Sequence, residues 1–96
     1  GVRFFKWKSN FDVWKRREFL EARLKFKSFL DAVEFVREVA MAAERLGHHP
    51  DVEIHYDVVV IATTTHDAGD RVTERDMALA EEVEKIYKKW QMEGKA

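Results

Sequence analysis

Histidines are the residues of this 96-residue chain whose type and spacing could do chemistry. His48 and His49 are adjacent and precede the only proline, Pro50, whereas His66 follows a run of strand-forming residues. Histidine can donate or accept a proton near neutral pH because its unperturbed pKa lies nearest neutrality. Two imidazoles on opposite sides of a substrate could therefore act as acid and base in a dehydration. One would protonate the departing hydroxyl while the other removes a proton from the neighbouring atom.

Each histidine also has a structural interpretation. The adjacent pair before proline could belong to a solvated loop, and His66 could be a strand-end residue bonded to a neighbouring carboxylate. His55 alternates with acidic residues on the outward face of a predicted strand, which favours exposure to solvent. The residue types alone leave both interpretations open.

A metal site is a weaker interpretation of the same histidines. Neutral imidazoles suit zinc, copper and nickel, but adjacent histidines rarely both point at one ion on a regular element. The chain has no cysteine, and no carboxylate motif completes a recognised spacing. Phosphate-binding glycine loops and serine nucleophile motifs are also missing from the sequence. We therefore expect no metal.

The composition of the chain also argues against two classes of partner, nucleic acids and membranes. The chain has 17 basic and 18 acidic residues and a formal net charge of −1, which argues against nucleic-acid binding through bulk charge. It contains no apolar run long enough to span a bilayer and no signal-peptide pattern. We expect one domain over residues 1–96, no membrane association and a cytoplasmic location.

The first half of the chain indicates a hairpin followed by a helix. Residues 20–26 alternate between apolar and charged, as in a half-buried strand, and the preceding "WKRREF" is a candidate partner strand. Residues 1–12 give only a weak strand signal. Ser28 and Asp31 have the spacing of a capping box, and Gly47 and Pro50 predict the end of the helix. Its predicted apolar stripe comprises Phe29, Val33, Val36, Ala40 and Ala43, widened by Ala32, Val39 and Leu46.

The remainder predicts two strands and a second helix. Residues 52–56 alternate, and residues 58–65 are rich in β-branched residues, with a tight turn expected near Asp57. After a turn at "DAGD", Thr73 and Asp76 have the spacing of a helix cap, so Asp76 has a structural role available. Helical spacing continues through Leu79, Val83, Ile86 and Trp90. The order β-β-α-β-β-α predicts an α+β two-layer domain, with helices packed on one face of a four-stranded antiparallel sheet.

With these residues identified, the chain resembles the pterin-4a-carbinolamine dehydratase family from about Leu24 to Ile86. The matching segments are "AERLGHHPDVEIHY", "VVVIATTTHDAG" and "TERDMALA". The family signature combines an acidic residue, a His-His-Pro, an aromatic residue, a histidine after the long strand and an aspartate opening the last helix. Here these are Glu44, His48-His49-Pro50, Tyr56, His66 and Asp76.

The resemblance implies a reaction and a site. Family members dehydrate 4a-hydroxytetrahydrobiopterin to quinonoid dihydropterin plus water in tetrahydrobiopterin recycling, with no metal or organic cofactor. By the same resemblance, His48 and His66 would transfer protons and His49 would bind and orient the pterin. Asp76 would support the site through the last helix. The residues implied to line the pterin pocket are Glu44, Pro50, Asp51, Thr65, Asp67 and Ala68.

The resemblance also implies partners. Family members form homodimers or homotetramers, act on the product of aromatic amino acid hydroxylases, and in some cases bind transcription factors as dimerisation cofactors. A non-enzymatic binding module is therefore the alternative function, favoured by aromatic and basic residues at Phe4, Phe5, Lys6 and Trp7. The turn after His66 more often ends in a glycine pair in the family, whereas Asp70 takes the second position here.

Overall fold

The computed structural model describes residues 6–96, so predictions that involve residues 1–5 lie outside the described part. Two strands come first, followed by a helix, two further strands, a short 3₁₀ turn and a second helix. Their bounds are β1 Lys8–Asp12, β2 Arg17–Lys25, α1 Phe29–Leu46, β3 Asp51–His55, β4 Val58–Thr63, the 3₁₀ turn His66–Ala68 and α2 Glu74–Met92.

The strands form one antiparallel sheet in the order β1-β2-β4-β3. Leu24 lies opposite Val59 on the face that both helices cover, and these two residues share one buried cluster with residues of α1 and α2. The next residue in β2, Lys25, points to the opposite face of the sheet because successive side chains alternate. The predicted α+β fold with helices on one face of a four-stranded antiparallel sheet is confirmed.

The prediction of which residues form the first strand of the hairpin was wrong. Residues 14–19 do not form the partner strand: β1 is the partner, and Arg17–Phe19 already belong to β2. The Asp12 carboxylate accepts the backbone N–H groups of Trp14 and Lys15 at 3.0 and 3.2 Å, and Arg16 takes a left-handed φ of 52°. An Asp side chain can close a turn in this way without glycine or proline, so the residue pattern contained little sign of this turn.

Helix α1 begins and ends as predicted, but its buried face matches the predicted stripe only in part. Ser28 caps it by accepting the Asp31 N–H at 3.0 Å, and Gly47 ends it with a φ of 64°. The predicted stripe is wrong in part, because Phe29 and Val33 are exposed whereas Phe35 is completely buried. Apolar residues surround most of this helix, so their spacing alone did not decide which face meets the sheet.

An aromatic cluster holds the two helices against the end of β2. The rings of Phe26 and Phe35 lie 4.7 Å apart between centroids, and Tyr87 and Trp90 pack edge-on against Phe26 at 5.4 and 6.1 Å. The Tyr87 hydroxyl donates to the Lys25 carbonyl at 2.8 Å, which satisfies its polar end. This packing fixes α1 relative to α2 and thereby positions the residues that follow α1 and begin α2.

Helix α2 begins with the predicted capping box. The Thr73 side chain accepts a backbone N–H of the first turn, and the Asp76 carboxylate accepts the Thr73 N–H at 2.9 Å. Its buried face carries Leu79, Val83 and Trp90 as predicted, with Ile86 only half-buried. Within residues 6–96, neither helix is long and apolar enough to cross a membrane.

Candidate active site

His48 lies directly behind the end of α1. The left-handed Gly47 donates its N–H to the carbonyls of Ala43 and Glu44, which ends the helix. The N–H of His48 then donates to the Ala43 carbonyl at 3.1 Å. This turn directs the chain back towards the sheet, so the His48 side chain is only 8% exposed.

Asp76 is the buried partner of His48. His48 Nε2 lies 2.6 Å from Asp76 Oδ1, and the Asp76 side chain is fully buried. The Thr63 hydroxyl also donates to Oδ1 at 2.6 Å, whereas the Thr65 hydroxyl and the Thr73 N–H donate to Oδ2 at 2.7 and 2.9 Å. One carboxylate therefore joins β4, the loop after it, α2 and the end of α1.

These hydrogen bonds decide the charge of Asp76 and the tautomer of His48. Burial raises the pKa of the Asp76 carboxyl, but its hydrogen bonds, led by the one from His48, outweigh burial and lower that pKa. An ionised carboxylate only accepts hydrogen bonds, so His48 must donate through Nε2–H. Nδ1 is then the His48 nitrogen that can exchange a proton with a ligand.

His66 begins the 3₁₀ turn that follows β4. Thr65 pairs with Arg71 in an isolated bridge, so the chain from His66 to Asp70 forms a closed loop. His66 is exposed, and its Nδ1 lies 2.7 Å from Asp70 Oδ1. Both predicted proton-transfer histidines thus have a carboxylate partner, one buried and one exposed.

His49 differs from both because its partner is more distant. Its side chain is 62% exposed, and Nε2 lies 3.4 Å from Glu44 Oε1 on the last turn of α1. A pair this long and this exposed leaves the imidazole free to rotate towards a ligand. This position suits contact with a ligand rather than structural support.

The three histidines line one cleft of about 260 Å³. His48 and His49 come from the end of α1 and His66 from the end of β4, segments that are distant in the sequence. Polar groups from Thr64, Asp67 and Arg75 complete the lining together with Gly47. The Arg75 Nη1 donates to both Asp67 oxygens at 3.0 and 3.1 Å, so a charged pair borders the cleft.

The other implied pocket residues lie in different places. Thr65 and Ala68 line an adjoining hollow that shares Asp67 and Arg75 with the cleft. Glu44 and Pro50 line a small apolar hollow of about 150 Å³ that shares His49. Asp51 does not line these hollows, because its carboxylate pairs with Arg17 at 3.1 Å.

Three contributions were not predicted from the sequence. Arg75 borders the cleft, Thr63 donates to the Asp76 carboxylate, and Asp70 bonds to His66. Arg75 directly precedes Asp76 in "TERD", and this position was a signal that could have identified Arg75 as a site residue. The roles of Thr63 and Asp70 depend on contacts that spacing does not specify.

No three histidine, aspartate or glutamate side chains among residues 6–96 are grouped so that they could hold a metal ion.

A second cavity of about 270 Å³ lies near the loop after His66, and no histidine lines it. It is lined by Phe11, Arg16, Glu18, Gly69, Asp70 and Arg71. The cleft at the end of α1 is therefore where three histidines of the described residues meet.

Known proteins are similar to this chain in sequence. A relative from Koribacter versatilis (strain Ellin345), provisionally named a pterin-4-alpha-carbinolamine dehydratase, is 46% identical over 68 residues, 71% of each chain. A relative from Mycolicibacterium smegmatis with the same provisional name is 42% identical over 78 residues, covering 80% of this chain and 82% of its own.

Solved structures share the fold. The structure of a transcriptional coactivator/pterin dehydratase from Brucella melitensis matches with a TM-score of 0.74 and 33% identity, over 84% of this chain and 81% of that one. A pterin dehydratase-like protein identified as a RuBisCO assembly factor in the alpha-carboxysome matches with a TM-score of 0.69, 85% and 89% coverage and 20% identity, which shows the fold alone. The sequence model described as pterin 4 alpha carbinolamine dehydratase matches residues 5–86. The chain therefore belongs to the pterin-4a-carbinolamine dehydratase family.

Proposed function

We propose that this chain dehydrates 4a-hydroxytetrahydrobiopterin to quinonoid dihydropterin and water. The observation that carries the proposal is the single cleft lined by His48, His49 and His66. Membership of the dehydratase family supports this choice of substrate.

The reaction needs two proton transfers at adjacent atoms. The bond between C4a and its hydroxyl oxygen breaks, a double bond forms between C4a and N5, and N5 loses its proton. The departing hydroxyl must gain a proton to leave as water. A pair of imidazoles, one donating and one accepting, supplies both transfers, and water restores the starting protonation after each turnover.

His48 and His66 take these two roles in the proposal. Each has one ring nitrogen bonded to a carboxylate and the other ring nitrogen without a partner among residues 6–96. A carboxylate partner holds an imidazole in one tautomer and one orientation. His49 orients the pterin, and the Asp67–Arg75 pair offers an acceptor and a donor to the polar edge of the ring.

The test is turnover of chemically generated 4a-hydroxytetrahydrobiopterin, followed by absorbance. We expect the protein to accelerate dehydration over buffer, and His66→Ala to remove most of the acceleration. His55→Ala is the matched control, because His55 is an exposed histidine that pairs with Glu53 on β3 and does not line the cleft. A folded wild-type sample that gives only the buffer rate would contradict the proposal.

A non-enzymatic binding module is the second candidate. The hairpin turn carries Trp14, which is 94% exposed, close to Phe11, which is 61% exposed. The Brucella melitensis relative is named both a coactivator and a dehydratase, which favours a partner protein in this family. Of the four N-terminal residues that favour this role, Phe4 and Phe5 lie outside the described residues, Lys6 is exposed, and Trp7 packs against the core.

Substitution separates this candidate from the enzyme better than truncation does, because removing residues 1–12 would delete β1. Trp14→Ala should leave dehydration unchanged. If the chain serves as a module for an aromatic amino acid hydroxylase or a transcription factor, the same change should weaken that binding. Equal binding by wild type and variant, measured by calorimetry with the purified partner, would remove the support that Trp14 gives.

We further propose that the chain assembles as a homodimer or homotetramer. Helix α1 exposes Phe29, Leu30, Val33 and Met41 on the side away from the sheet. Several exposed apolar side chains on one helix favour an interaction site there. Light scattering should give a mass two or four times 11.4 kDa, and Leu30→Glu should lower it. A monomer at micromolar concentration would contradict this proposal.

A further inference from the structure

The loop from His66 to Asp70 is held at both ends by backbone hydrogen bonds. The Thr65 N–H donates to the Arg71 carbonyl at 2.9 Å, and the Arg71 N–H returns to the Thr65 carbonyl at 3.4 Å. The Glu18 N–H donates to the Asp70 carbonyl at 2.9 Å, which ties the loop to β2. Asp70 therefore has a fixed position although it lies in a loop.

Asp70 has an unusual backbone conformation for this position. Its φ is 57°, in the left-handed region, directly after Gly69 with a φ of 79°. Aspartate and asparagine tolerate this region better than other non-glycine residues, but it still costs more than it does for glycine. A glycine would fit this backbone with less strain, so the carboxylate has to be explained by what it contacts.

The contact is with His66. Asp70 Oδ1 lies 2.7 Å from His66 Nδ1, within the range of a charge-assisted hydrogen bond. Because an ionised carboxylate has no hydrogen to donate, His66 must donate Nδ1–H. Nε2 of the neutral ring then carries the lone pair, and it has no hydrogen-bond partner among residues 6–96.

Neighbouring charges do not compete for this carboxylate. The nearby Asp67 is bonded to Arg75, and Glu18 accepts the Val72 N–H at 2.8 Å. Arg16 and Arg71 line the cavity that Asp70 also borders, but neither side chain bonds to Asp70 in the described part of the chain. The His66 imidazole is its polar partner in this loop.

We propose that Asp70 is a positioning residue that holds His66 in the Nδ1–H tautomer and presents Nε2 to the cleft as the proton acceptor. The kinetic part of this inference rests on the proposed dehydratase function, whereas the tautomer part does not. The arrangement follows the general pattern in which a carboxylate selects the tautomer of a catalytic histidine.

Two variants remove the carboxylate without opposing the loop backbone. Asp70→Gly suits a positive φ, and Asp70→Asn keeps the side-chain shape while its amide can either accept from or donate to Nδ1. Glu53→Gln is the matched control, because Glu53 pairs with the exposed His55 at 2.9 Å on β3, outside the cleft.

Nitrogen-15 chemical shifts of the imidazoles report the tautomers directly. At alkaline pH, where histidine is ordinarily neutral, we expect the Nδ1–H form of His66 to dominate in the wild type. Asp70→Gly and Asp70→Asn should produce a mixture of both tautomers at His66, and Glu53→Gln should leave His66 unchanged. A wild-type His66 in the Nε2–H form, or shifts that neither variant changes, would overturn the proposal.

Kinetics supply the second measurement. Both Asp70 variants should lower kcat by roughly tenfold to a hundredfold, the range known for removing the carboxylate partner of a metal-bound histidine, with little change in KM. Changed tautomers with unchanged kcat would overturn the positioning role. If wild type itself shows no turnover, the proposed function fails, and the nitrogen shifts still decide whether Asp70 fixes the tautomer.

Discussion

The two histidine–carboxylate pairs of the cleft are built in opposite ways. His48 and Asp76 are 8% and 0% exposed and connect the end of α1 to the start of α2. His66 and Asp70 are 73% and 39% exposed and lie four residues apart in one loop. The first pair is formed only when the whole domain folds, whereas the second is formed by local backbone geometry.

Because of this difference, the two pairs should contribute differently to the stability of the fold. A buried carboxylate must keep its partners, because each unsatisfied group in a low-dielectric interior is costly. An exposed pair adds little to stability, since water screens it and replaces lost contacts. We therefore expect changes at the His48–Asp76 pair to affect folding and turnover together, and changes at the His66–Asp70 pair to affect turnover alone.

The largest expected effect comes from removing either proton-transfer histidine. His48→Ala and His66→Ala should each lower kcat by about 10²- to 10⁴-fold, the usual contribution of a general acid or base. Only His48→Ala should also lower the free energy of unfolding, by about 1–3 kcal/mol, because it removes a hydrogen bond from buried Asp76. Turnover and urea unfolding of the same samples test both parts. Equal stability of the two variants would contradict the comparison.

Replacing the buried carboxylate should have the next largest effect. Asp76→Asn keeps the volume but introduces an amide donor among groups that all donate: the His48 ring, the Thr63 and Thr65 hydroxyls and the Thr73 N–H. We expect a loss of about 3 kcal/mol in the free energy of unfolding. Asp51→Asn is the control, since the exposed Asp51–Arg17 pair should be worth less than about 1 kcal/mol.

The parts of this site that were predicted from sequence are those with local signals. Gly47 and Thr73 mark helix ends because a left-handed glycine and a capping hydroxyl act within a few residues. Those two ends place His48 and Asp76. Their contact, 28 residues apart, was not predicted. The family resemblance implied only that Asp76 supports the site, and periodicity does not give distances between elements.

The parts that were missed depend on packing or on unusual turns. The apolar residues of α1 allow more than one buried face, and only the aromatic packing of Phe26 with Phe35 selects the observed one. The turn at residues 13–16 contains no glycine or proline and is closed by the Asp12 side chain. The Asp70–His66 bond requires the closed loop, which the sequence does not reveal.

Lowering the pH should reduce the free energy of unfolding through the His48–Asp76 pair and not through the His66–Asp70 pair. We expect this effect to be smaller than those above and to grow gradually as the pH falls. The pKa of Asp76 is lower in the folded chain than in the unfolded chain, so the unfolded state takes up the proton first as pH falls. The stability that this group contributes is complete above the unfolded pKa of about 3.9 and is lost as pH falls through the lower folded pKa.

Urea unfolding at a series of pH values from about 6 to about 2.5 tests whether stability falls with pH in this direction. The wild type should lose stability more steeply than Asp76→Asn below about pH 4, where the carboxyl titrates. Asp70→Asn should follow the wild-type curve, because the buried carboxylate is intact. Parallel curves for wild type and Asp76→Asn would show that Asp76 is not the group responsible.

The smallest effect is expected at His49, whose contact with Glu44 is the longest and among the most exposed of the cleft. His49→Ala should raise KM by roughly threefold to tenfold, the equivalent of one hydrogen bond to the ligand, with kcat nearly unchanged. Stability should change by less than about 0.5 kcal/mol, as for other exposed substitutions. Glu44→Gln provides the control, because it keeps His49 and removes only the exposed charge. The contrary result is that His49→Ala lowers kcat as strongly as His66→Ala does. Proton transfer could then no longer be assigned to His48 and His66 alone. The contrast between a buried and an exposed histidine–carboxylate pair would then not explain the site.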